Sequence, residues 1–480
     1  MMINDLSPAE RRVWEAFPRG ASVDFGTDTG DRGPERTVRA SVLRTLLLTA
    51  PQRDGEVAAL KIQGARITGV LDLKYATVDN VIRLSDCDFE ETPDFSGAQL
   101  SYLNLTKSAL PGLRSARVRV DGGVRLTDCR FRGPVRLTGA QISGTLFMER
   151  TEVTAPDGEP ALLLNQAEIG EELCAPELRA RGEVRLAGAK VAGSLNLNRA
   201  RFERPGGGIA LAAETLTAEA DVEIRHAYVQ GRLEIRGARI AGRLDLSYTR
   251  MANPGGTALR ASSCVIGELW LRNGPRMEGV LNLRRSQVEV LLVEPDVVPD
   301  QVRLNNLTYT SLLSHLPAPD RLPMLARDTD GFIPHSYEQL TAAYRRIGDD
   351  DAARLVQLAK QRRRRATLPW FGRLWGYAQD ATVGYGFRPL RAAVWLLSLM
   401  AVGSVAYALH PPHPLKADEA PKFNAVFYTL DLLLPIIDFG QERAYAPEGW
   451  AQWLSYALVI TGWILATTVV TGVTRTVSRQ

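Results

Sequence analysis

Three glycines, Gly133, Gly182 and Gly231, stand 49 residues apart, and a second set, Gly144, Gly193 and Gly242, keeps the same interval 11 residues later. This constrains the fold more than any other property of the chain, because a unit that recurs in sequence recurs in space and buries its apolar side against the next copy. The pattern returns in ARITGVLDLKYATV (65–78), AQISGTLFMERTEV (140–153), AKVAGSLNLNRARF (189–202) and ARIAGRLDLSYTRM (238–251). Duplication of a block of several coils accounts for it. Within a unit, apolar and polar residues alternate over stretches too short for hairpins, as in Leu195-Asn196-Leu197 and Leu244-Asp245-Leu246, before Ala or Gly marks a corner. Such strands hold when each pairs in parallel with its equivalent one coil away and the inward aliphatics stack. At roughly 22 residues per coil, residues 60–312 make about eleven coils, a rod on the order of 50 Å at ~4.8 Å per coil.

Apolar residues in this segment recur at alternating intervals of five and six, as at Ile62, Ile67, Leu73 and Val78. In this it resembles the pentapeptide-repeat class of right-handed β-helices, which implies a mainly β fold, a right-handed parallel β-helix. A solenoid needs its open ends covered. Within residues 1–59, ERTVRASVLRTLLL (35–48) places Val38, Val42, Leu43 and Leu46 at helical spacing and is expected to form an N-terminal cap. An independent interaction helix is the alternative.

After a linker (313–335), residues 336–366 read as a helical hairpin. Ser336 with Gln339 suits the start of the first helix, and Gly348 with Asp349–Asp351 separates it from the second, which Asp350 or Asp351 would cap. The hairpin resembles one tetratricopeptide-type unit. A juxtamembrane segment (367–391) follows. Residues 352–391 hold nine basic side chains against one acid, Asp380. Within this collar Arg362, Arg363, Arg364 and Arg365 are candidate contacts for anionic lipid.

Residues 392–409 and 453–473 carry no charge and read as two transmembrane helices. Basic residues before the first and after the second (474–480) place both termini in the cytoplasm of a bacterial plasma-membrane protein. The loop between them (410–452) contains FNAVFYTLDLLLPIIDFG (423–440), where Asp431, Pro435 and Asp438 interrupt an apolar run. Its layout resembles the re-entrant segment of two-transmembrane pore-loop cation channels, which makes those three residues candidate pore or loop residues. An amphipathic helix on the outer surface is the alternative. Thr382-Val383-Gly384-Tyr385-Gly386 spells a potassium-filter pentapeptide but precedes the first span, where no filter belongs.

Lys+Arg 58 against Asp+Glu 54 is too balanced to indicate nucleic-acid binding. The four cysteines, Cys87, Cys129, Cys174 and Cys264, form no CxxC pair, and no dinucleotide, phosphate-loop, zinc-protease or nucleophile-elbow motif occurs in a suitable context. Asp24-Phe25-Gly26 and Asp438-Phe439-Gly440 spell a kinase magnesium motif without its companions. His410 and His413 lie in a Pro-rich turn. We therefore expect no catalytic residue, cofactor or metal. The leading expectation is a membrane-anchored scaffold that presents its β-helix to a protein partner. The alternative is an oligomeric ion channel or membrane-permeabilising effector. The layout of β-helix and membrane tail also resembles uncharacterised bacterial proteins sometimes labelled membrane-associated oxidoreductases, which makes an enzyme the third reading.

Overall fold

The computed structural model describes residues 5–26, 33–49, 55–204, 206–382, 389–416, 420–434 and 438–477. The chain divides into two units, Met1–Gln339 and Leu340–Gln480.

The first unit is a right-handed parallel β-solenoid of about 12 turns. Its strands join into two long parallel sheets, each made of two columns of very short strands. Sheet A stacks positions such as Arg119, Gln141, Glu168, Lys190 and Thr217, all in parallel register. Those partners are alternately 22 and 27 residues apart. The 49-residue interval is therefore one plain coil plus one coil with five extra residues, not a uniform repeat.

Inward side chains form continuous columns. Val120, Ile142, Ile169, Val191 and Ile240 are all buried on one of them. Burying each such side chain contributes about 1.5–3 kcal/mol, which is how strands of two residues persist. At one corner the interior column runs Cys87, Ser108, Cys129, Thr151. Ser108 Oγ, Cys129 Sγ and Thr151 Oγ1 donate to the carbonyls of Leu84, Leu105 and Leu126 in the preceding coil, at 2.9, 2.8 and 2.7 Å. Cys129 is thus both an interior filler and a donor to a corner carbonyl.

At the N-terminus, helix α1 (Pro8–Ala16) begins with a capping box between Ser7 and Glu10. Strands Ser22–Asp24 and Thr37–Arg39 pair in parallel with the first repeat strands, one on each sheet. Val38, assigned by periodicity to a helix, lies instead in a strand opposite Ile67. Helix α2 (Ala40–Thr49) starts two residues later and buries Val42, Leu43 and Leu46. At the other end, helix α3 (Ala318–Ala326) follows the last strand, and Asp328, buried, accepts from the amide of Leu304 at 3.0 Å.

Helices α4 (Pro334–Arg346) and α5 (Asp350–Arg365) occupy the stretch read as a hairpin. Ser336 lies inside α4 and does not cap it, because the helix begins two residues earlier. The cap of α5 is Asp349, whose side chain accepts from the amide of Ala352 at 2.8 Å. Further along the second unit come α6 (Trp370–Thr382), α7 (Pro389–Leu409), α8 (Ala425–Leu433), α9 (Gln441–Ala444) and α10 (Trp450–Val477). Tyr407, Tyr428, Leu433 and Leu458 form the core shared by α7, α8 and α10. Gly403 and Gly462 admit α8: a Cβ on Gly462 would stand 2.3 Å from the Leu433 carbonyl oxygen. Val394, Leu397 and Val402 on α7 and Trp453, Ile460 and Trp463 on α10 are exposed.

The two expected membrane spans are overturned. Among the described residues no helix is long and apolar enough to cross a membrane. The plasma-membrane location, the topology with both termini inside, and the membrane partnership with anionic lipid at Arg362–Arg365 all rested on those spans and fall with them.

Candidate interaction surfaces

Residues singled out for chemistry are largely occupied by the fold. In both Asp-Phe-Gly triplets the aspartate accepts from the glycine amide two residues on, at 2.7 Å for Asp24 and 2.8 Å for Asp438, with φ +80 at Gly26 and +76 at Gly440. Each is an Asx turn that uses glycine for its left-handed backbone. Asp431 is buried, and its carboxylate accepts from the amides of Phe439, Gln441 and Glu442 at 2.6, 2.8 and 3.2 Å. Asp438 pairs with Arg443 at 3.1 Å. Pro435, and positions 383–386 of the TVGYG run, lie outside the described residues.

Arg362 to Arg365 form the last turn of α5, where their charge suits the negative end of the helix dipole. Arg365 also lies 3.8 Å over the Tyr377 ring. His410 packs edge-on against Trp450, and His413 sits in a strand paired with Ala446. Among the described residues no group of His, Cys, Asp and Glu could hold a metal ion.

The thiols are poor nucleophiles. Burial pushes Cys264 up to about 11 and Cys129 up to about 12. Cys174 faces outward, yet burial and the neighbouring carboxylate of Glu149 push it up to about 11. At neutral pH all three are protonated.

What the solenoid offers is surface, and most of that surface is self-paired. One corner carries Asp86, Lys107, Asp128, Arg150, Glu177 and Arg199 in successive coils, each in left-handed backbone with φ between +50 and +61. Charge alternates at every step, so each of the four inner side chains stands between two of opposite sign. His226 and Tyr248 continue the column as stacked rings 4.4 Å apart. On sheet B, Glu234 is buried between Arg232 at 3.1 Å and Arg260 at 3.5 Å. Burial raises its carboxyl against the pull of both guanidiniums.

One patch departs from this pairing. In the outward column of sheet A that holds Asn196, Glu223 and Asp245, the next residue is Trp270. The guanidiniums of Arg243 and Arg272 lie over its ring, 4.1 and 4.4 Å from the centroid. Arg243 also reaches Glu268 at 3.2 Å, and Arg272 Nε donates to Ser247 Oγ at 3.3 Å. Ser247 in turn donates to the buried Asp245. The Trp270 indole N–H is enclosed and has no hydrogen-bond partner among the described residues. Sequence reasoning missed this patch, although a signal existed: Leu269-Trp270-Leu271 stands where other repeats read Leu-Asn-Leu or Leu-Asp-Leu.

No family model, no curated protein and no solved structure matches this chain.

Proposed function

We propose that the protein is an interaction scaffold whose solenoid, built on a pentapeptide-like unit, holds a protein partner through the Trp270 patch. The spacing of five and six between inward residues supports the pentapeptide-like unit. The observation that carries the binding role is the Arg243–Trp270–Arg272 cluster. Tryptophan and arginine dominate the energy of protein interfaces, because each brings a large rigid surface with a polar handle. The hydrogen bond to Ser247 and the ion pair to Glu268 fix both guanidiniums before a partner arrives, which lowers the ordering cost of binding. Reduced reactivity of the thiols and the occupied state of Asp431 and Asp438 leave no comparable support for chemistry.

The test compares wild type with Trp270→Ala and with Arg199→Ala, a surface change outside the patch, by quantitative affinity purification. One protein lost with Trp270→Ala and kept with Arg199→Ala is then purified and titrated against all three. A loss of at least about 10-fold for Trp270→Ala, as for an interface hot spot, supports the reading. Equal binding of wild type and Trp270→Ala by every captured protein would falsify it.

A further inference from the structure

In three alternate coils most of the extra residues leave the solenoid at the same corner of sheet B. Thr154 pairs with Arg181 and Pro160 with Glu183, so 155–159 loops out opposite the single residue Gly182. Glu203 pairs with Gln230 and Ile209 with Arg232, so Arg204 and Gly206–Gly208 stand out opposite Gly231. Ala252 pairs with Glu278 and Thr257 with Val280, so 253–256 forms a bulge within the strand Arg250–Arg260 opposite Gly279. The three glycines share one backbone, with φ +126, +121 and +129. A Cβ on Gly231 would stand 3.0 Å from the carbonyl oxygen of Gly208, which is why these positions keep glycine. The edge is therefore a comb. Its teeth recur every two coils, ~9.6 Å, and each gap between them is one coil deep, ~4.8 Å. The gap beyond the third tooth, over Gly279 and bounded by Pro254 and Asp300, is a cavity of about 460 Å³.

We propose that this comb is an interface with a second copy of the chain, each copy's teeth seated in the other's gaps. Two observations select that occupant. A gap ~4.8 Å wide has the spacing of adjacent β-strands, so it takes one layer of backbone, and a second copy supplies layers at the matching ~9.6 Å period without accumulated misfit. Interleaving requires a two-fold axis perpendicular to the solenoid, since an axis along it would set tooth against tooth. The tips also differ in charge. The first tooth exposes Asp157 and Glu159, the second carries Arg204, and the third is uncharged. With the second tooth of each copy between the partner's first and second, the order along the seam is acidic, Arg204, Arg204, acidic. Each Arg204 then meets two carboxylates of the other copy on its outer side. Among the described residues Arg204 has no ion pair, and Glu159 has only Arg136 at 3.9 Å. At the Gly206–Gly208 tip the Gly207 amide donates to the Arg204 carbonyl at 3.1 Å. Pro205 lies outside the described residues.

Sedimentation velocity of the full chain at low ionic strength tests this, with circular dichroism as the control for folding. Arg204→Glu, and separately Asp157→Arg with Glu159→Arg, are each expected to weaken a wild-type dimer at least about 10-fold. The triple variant, which exchanges the charges, is expected to restore it. A wild-type monomer at tens of micromolar overturns the proposal. So does a dimer that neither charge set disturbs, as one made through the exposed apolar faces of α7 and α10 would be, or a triple variant as weak as its parents. The comb lies apart from the Trp270 patch, and its failure leaves the scaffold reading untouched.

Discussion

The guanidinium of Arg150 forks onto the carboxylate of Asp128 in the preceding coil, with Nε to Oδ1 at 2.7 Å and Nη2 to Oδ2 at 2.9 Å. This is one rung of the alternating corner column, and the whole column acts on it. Arg150 holds Asp128 below the usual carboxylate range, and Lys107 on the other side adds to the effect. Glu177 acts in turn on Arg150. Arg150→Glu would set three acids in a row, the new carboxylate standing between Asp128 and Glu177. The expected result is a lower Tm, with a difference from wild type that shrinks as salt rises. The exchange of both residues, Asp128→Arg with Arg150→Asp, should fall between the two, since it restores the central pair and sets like charges at its flanks. Thermal melts at two salt concentrations check this.

Glu10 ties the N-terminal region to the first coil. Its side chain is 2% exposed and accepts from Arg39 Nε and Nη2, both at 2.7 Å, and from the amides of Arg39 and Ser7. Burial alone would raise its pKa, but these donors outweigh it and lower it from 4.5 to about 2. A carboxylate with a depressed folded-state pKa stabilises above its unfolded value, and that contribution is lost as pH falls from about 4.5 towards 2. Glu10→Gln should cost roughly 2–3 kcal/mol at pH 7 and flatten the loss of stability across that acid window. Urea melts from pH 2 to pH 7 give the measurement.

Thr215 sits in the other left-handed corner column at φ +54, between Gly188 and Gly237, which hold the same position in adjacent coils. A β-branched residue is strained there. Thr215→Gly should stabilise the solenoid by about 0.5–1 kcal/mol, the reverse of what glycine does inside a strand. An unchanged or lower Tm would show that the Thr215 hydroxyl bond to the Glu214 carbonyl at 2.7 Å outweighs the backbone term.

Asp431 closes the loop after α8 by accepting three amides. Asp431→Asn replaces one acceptor oxygen with a donor, so at least one of the Phe439, Gln441 and Glu442 amides loses its partner. Such a loss costs about 1–3 kcal/mol, confined to this loop. Hydrogen exchange should quicken at those three amides and stay unchanged in the solenoid. Uniform protection in the variant would mean that the carboxylate does not hold the loop.

Native protein should resist thiol reagents. With Cys129, Cys174 and Cys264 raised to about 12, 11 and 11, the thiolate fraction at pH 8 is small, and Cys87, Cys129 and Cys264 are also enclosed. Labelling should be slow in the native state and reach all four after unfolding in guanidinium. Rapid native labelling at Cys174 would show that burial and Glu149 do not suppress its ionisation.

The linear order of residues determined the solenoid. A 49-residue interval, Leu-x-Leu triplets and corner alanines and glycines state which side chains face inward, because that alternation is local and each repeat carries its own copy. The helices around Gly348 were legible for the same reason, through their own periodicity and acidic start. What the tertiary structure decided is which distant residues became neighbours. It split the interval into coils of 22 and 27 and so turned 155–159 and the Arg204–Gly208 tip into teeth over glycine gaps, with a bulge at 253–256 in a coil of 26. It drew Val38 into a strand because Ile67 offered it a ladder, and gave Asp431, read as a candidate pore or loop residue, three loop amides to hold. It brought Arg243 and Arg272 onto Trp270. Inward or outward direction follows from a strand's own two-residue period, whereas a side chain's partner in the next coil depends on a register fixed only when the coils stack.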